Sequence, residues 1–314
     1  MTNINEISTI IHRNFTRMAW EKDKFDLEKS YICSAIAEIP YHRIPEFELS
    51  QADRANMIPC ASYNDLYTRR IIQTTQEISS RLDSPRYFSI ETNFAILLGI
   101  KIHNVLFISI RGTQTLYDWR TNFQVLKISE RIGPVTAKFH RGFYLATMEI
   151  LPPLLDELDE LDDELTENED NDRVLVYITG HSLGGAIASI LHGQLRSIQF
   201  PYQLRSSNIL RSRLTLGSCY TFGMPRFGDR LAAAKNHRPF NVKSNLDIVP
   251  RIPPKWLGFA DSLNNFHPDG TRDYQRSSVL DFNFLRWFKM IKSGQIKRNH
   301  SIEQYQQSIH SHLK

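Results

Sequence analysis

The sequence predicts an α/β fold: a mostly parallel central sheet with helices on both faces and an N-terminal helical layer. Three observations carry that expectation. Short apolar, β-branched stretches recur at 94–102, 105–110, 173–179, 213–222 and 240–243. Segments of helical composition separate most of them, the alternation expected of a parallel sheet covered twice. One junction, Arg173 to Ala186, runs from an unbroken apolar strand through a Gly-rich turn directly into a helix.

Size and composition agree. The chain has 314 residues, 41% hydrophobic and 23% charged, as in ordinary soluble proteins. The economical organisation is one structural unit, with a helical extension over 1–89 packed on a core over 90–314. No stretch of 18 uncharged apolar residues occurs, so no transmembrane helix is expected. The first residues, MTNINEISTIIHRNF, lack the basic–apolar–small order of a secretory signal, and a cytoplasmic location is expected. Cys33, Cys60 and Cys219 are too few and too scattered for a disulfide framework or a zinc site. No metal or other cofactor is expected, and no nucleic-acid module is visible.

The net charge is +4, unevenly spread. Asp156 to Asp172 holds eleven acids and no base, which leaves 38 basic against 23 acidic residues elsewhere. Such a basic body suits peripheral contact with an anionic membrane; a solvated mixed-charge surface is the plainer reading.

Taken in order, residues 1–60 read as helical. Phe25, Leu27, Tyr31, Ile32 and Ala35 fall near helical spacing until Pro40. A polar helix with Leu66, Ile71 and Ile78 as apolar points follows over 61–86. Phe94–Ile102 and Val105–Ile110 flank His103-Asn104 and read as a hairpin. Phe143–Leu165 reads as a helix, with Leu154, Leu158, Leu161 and Leu165 as one apolar stripe and the acids on the solvent face. Pro152-Pro153 should bend or restart it, since neither carries an N–H.

Arg173–Thr179 (RVLVYIT) then leads into Gly180-His181-Ser182-Leu183-Gly184-Gly185-Ala186. A G-x-S-x-G between strand and helix is the nucleophile elbow of the α/β-hydrolase fold. The turn is tight, and a Cβ at Gly180 or Gly184 would meet the strand or helix. It lifts the Ser182 hydroxyl clear of the sheet and leaves the Leu183 N–H unpaired at a helix start.

A serine hydroxyl needs a base, and the base an orienting carboxylate, in the chain order Ser, Asp or Glu, His. Of six aspartates after Ser182, Asp247 follows a predicted strand and precedes a Pro-rich loop. Spacing alone leaves two histidines open: His300, at the start of a terminal helix, and His267, in a turn-rich loop. A second oxyanion donor is expected from the loop after the hairpin, Arg111-Gly112-Thr113, where Thr113 offers both N–H and hydroxyl.

These residues resemble the class 3 lipase family over roughly 90–310. The matching blocks are Ile110-Arg-Gly-Thr113 with Asp118-Trp119, His140-Arg-Gly-Phe143, Thr179 to Ala186, Tyr220 to Arg226, Asn245 to Arg251, and His300-Ser-Ile with Tyr305. The resemblance implies Ser182 as nucleophile, Asp247 as the acid and His300, rather than His267, as the base. It also implies Thr113 and Leu183 as oxyanion donors and an acyl-lipid or other ester as substrate. Two positions depart from the family's habit: Ile110, where Phe is frequent, and Asn299, where Asp is. Two segments are candidate lipid contacts. Gln114–Phe123 reads as a short lid or a packed helix. Val279–Ile291 reads as a pocket wall or an interfacial stripe.

Overall fold

The computed structural model describes residues 4–41, 86–112, 126–132, 135–167, 173–198, 200, 212–274 and 298–313. Cys60, Thr113, Gln114–Phe123, Val279–Ile291 and the polar helix expected over 61–86, Arg86 apart, lie outside the described residues.

Over residues 4–41 the chain forms α1 (Ile4–Asn14) and α2 (Leu27–Glu38). Asp26 starts α2, its side chain accepting the Lys29 N–H at 2.9 Å, as an N-cap should. A 3-10 turn, Ile39–Tyr41, ends the segment at Pro40.

The sheet begins with β1 (Tyr87–Glu91), β2 (Ala95–Ile102) and β3 (Val105–Gly112). β2 and β3 form the expected hairpin, Ile102 pairing with Val105. Its two-residue turn uses His103 at φ 48°, the left-handed geometry that follows the twist of paired strands. β1 is an addition to the reading: five residues pairing antiparallel with β2. A separate two-stranded ribbon, β4 (Lys127–Ile132) and β5 (Val135–His140), was also not foreseen. β5 alternates strictly between apolar and polar residues (VTAKFH), whereas β4 (KISERI) does not.

Next come α3 (Arg141–Glu167), β6 (Val174–His181), α4 (Leu183–Ser197) and β7 (Leu214–Phe222). The chain continues through α5 (Arg230–Lys235), β8 (Phe240–Val242), β9 (Asn265–Phe266) and α6 (Ile302–His310). The main sheet has the order β1-β2-β3-β6-β7-β8-β9. From β3 to β9 every pairing is parallel. Parallel strands leave their C-terminal ends on one edge, where the crossovers open a crevice.

Each strand sends alternate side chains to opposite faces. Phe107, Tyr177, Tyr220 and Phe222 pack with Ile11, Ile32, Ile36, Ile302 and Ile309, so α1, α2 and α6 cover one face. Ile108, Ile110, Val176 and Ile178 pack with Leu154, Leu158, Ile187 and Leu191, so α3 and α4 cover the other.

Of the two outcomes expected at Pro152-Pro153, a bend or a restart, the restart does not occur: both prolines lie inside one continuous helix. A mid-helix proline costs about 3 kcal/mol. The stripe Ile150, Leu154, Leu158, Leu161 and Leu165 is buried, and each such side chain contributes roughly 1.5–3 kcal/mol, which outweighs that loss. The acids do not all face solvent either. Asp162 is buried and accepts the Arg213 N–H at 2.7 Å and the Ser212 hydroxyl at 3.2 Å, tying α3 to the start of β7. Glu157, Glu160 and Glu164 meet Arg86 at 3.2, 3.2 and 2.8 Å. Cys33 and Cys219 are free, buried thiols. No helix among the described residues is long and apolar enough to cross a membrane.

Candidate active site

The edge where β3, β6, β7 and β8 end holds three polar side chains that would be costly to bury apart. β6 ends at His181 and α4 starts at Leu183, so a single residue, Ser182, makes the turn. It does so at φ 57°, ψ −127°, a conformation few L-residues adopt. Its N–H bonds to the Phe222 carbonyl at 2.9 Å. A Cβ on Gly180 would stand 2.5 Å from the Gly184 carbonyl oxygen, and one on Gly184 2.0 Å from that of Ile110. Both glycines are therefore demanded by backbone crossing backbone.

Ser182 Oγ lies 2.7 Å from His300 Nε2, and His300 Nδ1 lies 2.7 Å from Asp247 Oδ2. All three residues are buried. A carboxylate only accepts, so Nδ1 carries the imidazole proton and Nε2 is left to accept from the Ser182 hydroxyl. His267 stands elsewhere, partly exposed, with Nε2 4.0 Å from Asp273. Leu183 is the first residue of α4, where a backbone N–H has no intrahelical acceptor. Thr113 lies outside the described residues.

Asp247 follows β8 and is held by three donors. Its Oδ1 accepts from the Val249 N–H at 2.9 Å, and its Oδ2 from His300 and from the Tyr305 hydroxyl, the latter also at 2.7 Å. Burial, followed by the Asp247 charge, pushes the Tyr305 phenol well above its usual range, so it remains a donor. The Ser244 N–H bonds back to the Tyr305 hydroxyl at 3.2 Å. His300 enters just before α6, whose N-cap Ser301 accepts from the Gln304 N–H. Asn299 bridges the two loops by donating to the Leu246 carbonyl at 3.3 Å. Further on, Arg226 is buried, pairs with Asp261 at 2.7 Å and donates to the carbonyls of Arg251 and Pro253, pinning the chain beyond Asp247.

Gly223 has two reasons to lack a side chain. Its φ is +57°, and a Cβ there would sit 2.9 Å from both Asp247 Oδ2 and His300 Cε1. The sequence pattern predicts no role for Gly223, Tyr305 or Asn299, although Gly223 lies within Tyr220–Arg226 and Tyr305 closes the segment begun by His300.

His181, inside the elbow, is also buried. Its Nε2 lies 2.6 Å from the His300 carbonyl oxygen. Burial, then the neighbouring His300 charge, lowers its pKa well below the usual histidine value, so the ring is neutral. The Tyr41 hydroxyl donates to the His181 carbonyl at 3.2 Å, its own pKa raised to about 12 by burial. No cluster of metal-ligating side chains occurs among the described residues.

Residues 107–256 match the family model described as lipase (class 3). This stretch belongs to the class 3 lipase family. Among relatives of this lipase region, the secreted mono- and diacylglycerol lipase 1 of Fusarium solani is 26% identical over 181 residues, covering 55% of this chain and 47% of its own. The lipase of Rhizomucor miehei is 30% identical over 179 residues, covering 54% and 43%. The chain thus spans less than half the length of these curated relatives. The crystal structure of a mono- and diacylglycerol lipase from Aspergillus oryzae superposes with a TM-score of 0.50 at 18% identity, covering 76% of this chain and 78% of that one. The class 3 lipase region therefore sits in an α/β-hydrolase fold, as the sequence led us to expect.

Proposed function

We propose that this chain is a serine carboxylester hydrolase that cleaves acyl esters of lipids through Ser182, His300 and Asp247. The unbroken chain of 2.7 Å contacts from Ser182 Oγ through His300 to Asp247 carries this reading. The relatives' names, which specify lipases, support the substrate class.

Ser182 Oγ attacks the ester carbonyl carbon while His300 Nε2 takes its proton. The carbonyl π-pair moves onto oxygen, and the Leu183 N–H and Thr113 hold the resulting oxyanion. As the carbonyl re-forms, the alcohol leaves with the proton from Nε2. Water then attacks the acyl-enzyme by the same roles, releasing the acid and restoring the Ser182 hydroxyl. Asp247 fixes the tautomer and offsets the imidazolium charge.

Peripheral contact with an anionic membrane belongs to the same proposal. Leu246 and Trp256 are exposed, 69% and 66%, and Leu246 directly precedes Asp247 in the chain, so the loop that carries the acid also offers apolar surface. The two buried thiols fit a cytoplasmic setting, which cell fractionation would check.

The test is hydrolysis of p-nitrophenyl esters from C2 to C16, with and without vesicles of anionic phospholipid, alongside Ser182→Ala. Activity should be lost in Ser182→Ala, with the thermal melt unchanged. It should rise with chain length or on adding vesicles. Full activity in Ser182→Ala would remove the assignment. Activity confined to C2–C4 would make the protein a short-chain esterase, and a native protein that neither turns over nor reacts with a fluorophosphonate would make it a lipase-like binding module.

A further inference from the structure

We propose that His181 and Tyr41 are positioning residues, which lock the main chain on both sides of the Ser182–His300 contact. The inference rests on the hydrolase reading above. His181 immediately precedes the nucleophile, and its ring reaches the base from the other side. A carbonyl only accepts, so the 2.6 Å contact with the His300 oxygen is an Nε2–H donation. The two imidazoles lie 4.6 Å apart between ring centres, inclined by 35°. The backbone of His181 therefore holds Ser182 while its side chain holds His300, and the two reacting groups cannot drift independently.

Tyr41 steadies His181 from a third part of the chain. Its hydroxyl donates to the His181 carbonyl, and its ring meets the imidazole edge-on at 5.8 Å. Tyr41 is itself held: the Arg111 guanidinium lies 5.0 Å over its ring and donates to the Pro40 carbonyl at 3.0 Å. The end of the N-terminal helical layer is thus bonded into the elbow, across 140 positions of sequence.

Packing alone does not explain an imidazole at 181. Its Nδ1 is buried with no hydrogen-bond partner among the described residues, and a buried lone pair left unpaired is destabilising. A hydrocarbon ring would fill the space with no such atom. What the imidazole adds is one N–H aimed at the main chain of His300.

The experiment compares the full chain with two donor-free variants, His181→Phe and His181→Met, with His181→Gln, whose amide nitrogen can stand near the imidazole Nε2, and with Tyr41→Phe. It reads kcat and KM on a p-nitrophenyl ester, the rate of fluorophosphonate labelling, and the thermal melt. A small displacement of reacting groups costs up to about 100-fold in rate. We therefore expect the donor-free variants to lose roughly 10- to 100-fold in kcat and in labelling rate at unchanged KM. His181→Gln should recover most of that loss, and Tyr41→Phe should lose a smaller factor in the same direction. A folded donor-free variant with native kcat overturns the inference, as does a His181→Gln variant as slow as His181→Phe. If one donor-free variant fails to fold, the other is compared with His181→Gln. Ser182→Ala, run in parallel, separates the two readings. A native protein without Ser182-dependent labelling sinks the hydrolase proposal itself; a native protein that labels, beside donor-free variants that label equally fast, sinks only this one.

Discussion

Ser182 occupies left-handed backbone because three chain segments meet at the elbow with no room for side chains between them. The strain is local and is held by the strand before it and the helix after it. Gly184 shows how little tolerance remains, since its missing Cβ would fall 2.0 Å from the Ile110 carbonyl oxygen. Backbone cannot swing aside as a side chain can, so Gly184→Ala should lose more than about 3 kcal/mol, beyond ordinary overpacking; a urea melt within 1 kcal/mol of native would refute the claim. Gly223→Ala should act differently. Leaving glycine at φ +57° costs about 1–2 kcal/mol, and the new methyl presses on Asp247 and His300. A folded Gly223→Ala protein should therefore have lower kcat, and native kcat in that variant would show that the Asp247–His300 contact has slack.

At the scale of elements, α3 shows where pattern reasoning succeeds and where it stops. Its leucine stripe was legible because four apolar residues at helical spacing leave no other face to bury. Asp162 was not, because it shares the composition of its exposed neighbours. Its burial depends on where residues 212 and 213 arrive, which no local pattern records. The two hydrogen bonds it accepts predict that Asp162→Ala destabilises the fold by about 2–3 kcal/mol, the range for bonds to a charged group, with kcat unaffected. A change under 0.5 kcal/mol on chemical denaturation would count against it. β1 and β4 are not legible for a related reason: short strands mixing polar and apolar residues without strict alternation owe their structure to a partner strand, whereas β5, VTAKFH, does alternate.

The whole molecule carries a pH signature. Burial lowers both His140 and His192 to about 4, against an unfolded value near 6.5. Between those values the unfolded chain binds more protons than the folded one, so stability rises with pH through that window. The contribution is whole above pH 6.5 and is lost as the pH falls toward 4. Urea midpoints should therefore drop steadily from pH 7 to pH 4.5, and His192→Gln should flatten the slope. A native midpoint independent of pH over that range would contradict the account.

Local pattern was enough for the α/β class, for the strand–elbow–helix junction with its obligatory glycines, and for Ser182 and Asp247 as candidates. Each is written in local patterns a few residues long, set by backbone sterics and side-chain periodicity. Choosing His300 over His267 needed either a family resemblance or the fold, because both histidines sit in plausible loops and only distance separates them. Tertiary structure alone decided the bonds of Tyr305 to Asp247, Asn299 to the Leu246 loop and Tyr41 to His181. Those contacts join residues tens to well over a hundred positions apart, and a hydrogen bond depends on where the packed sheet brings two atoms, not on the neighbours either atom has in the chain.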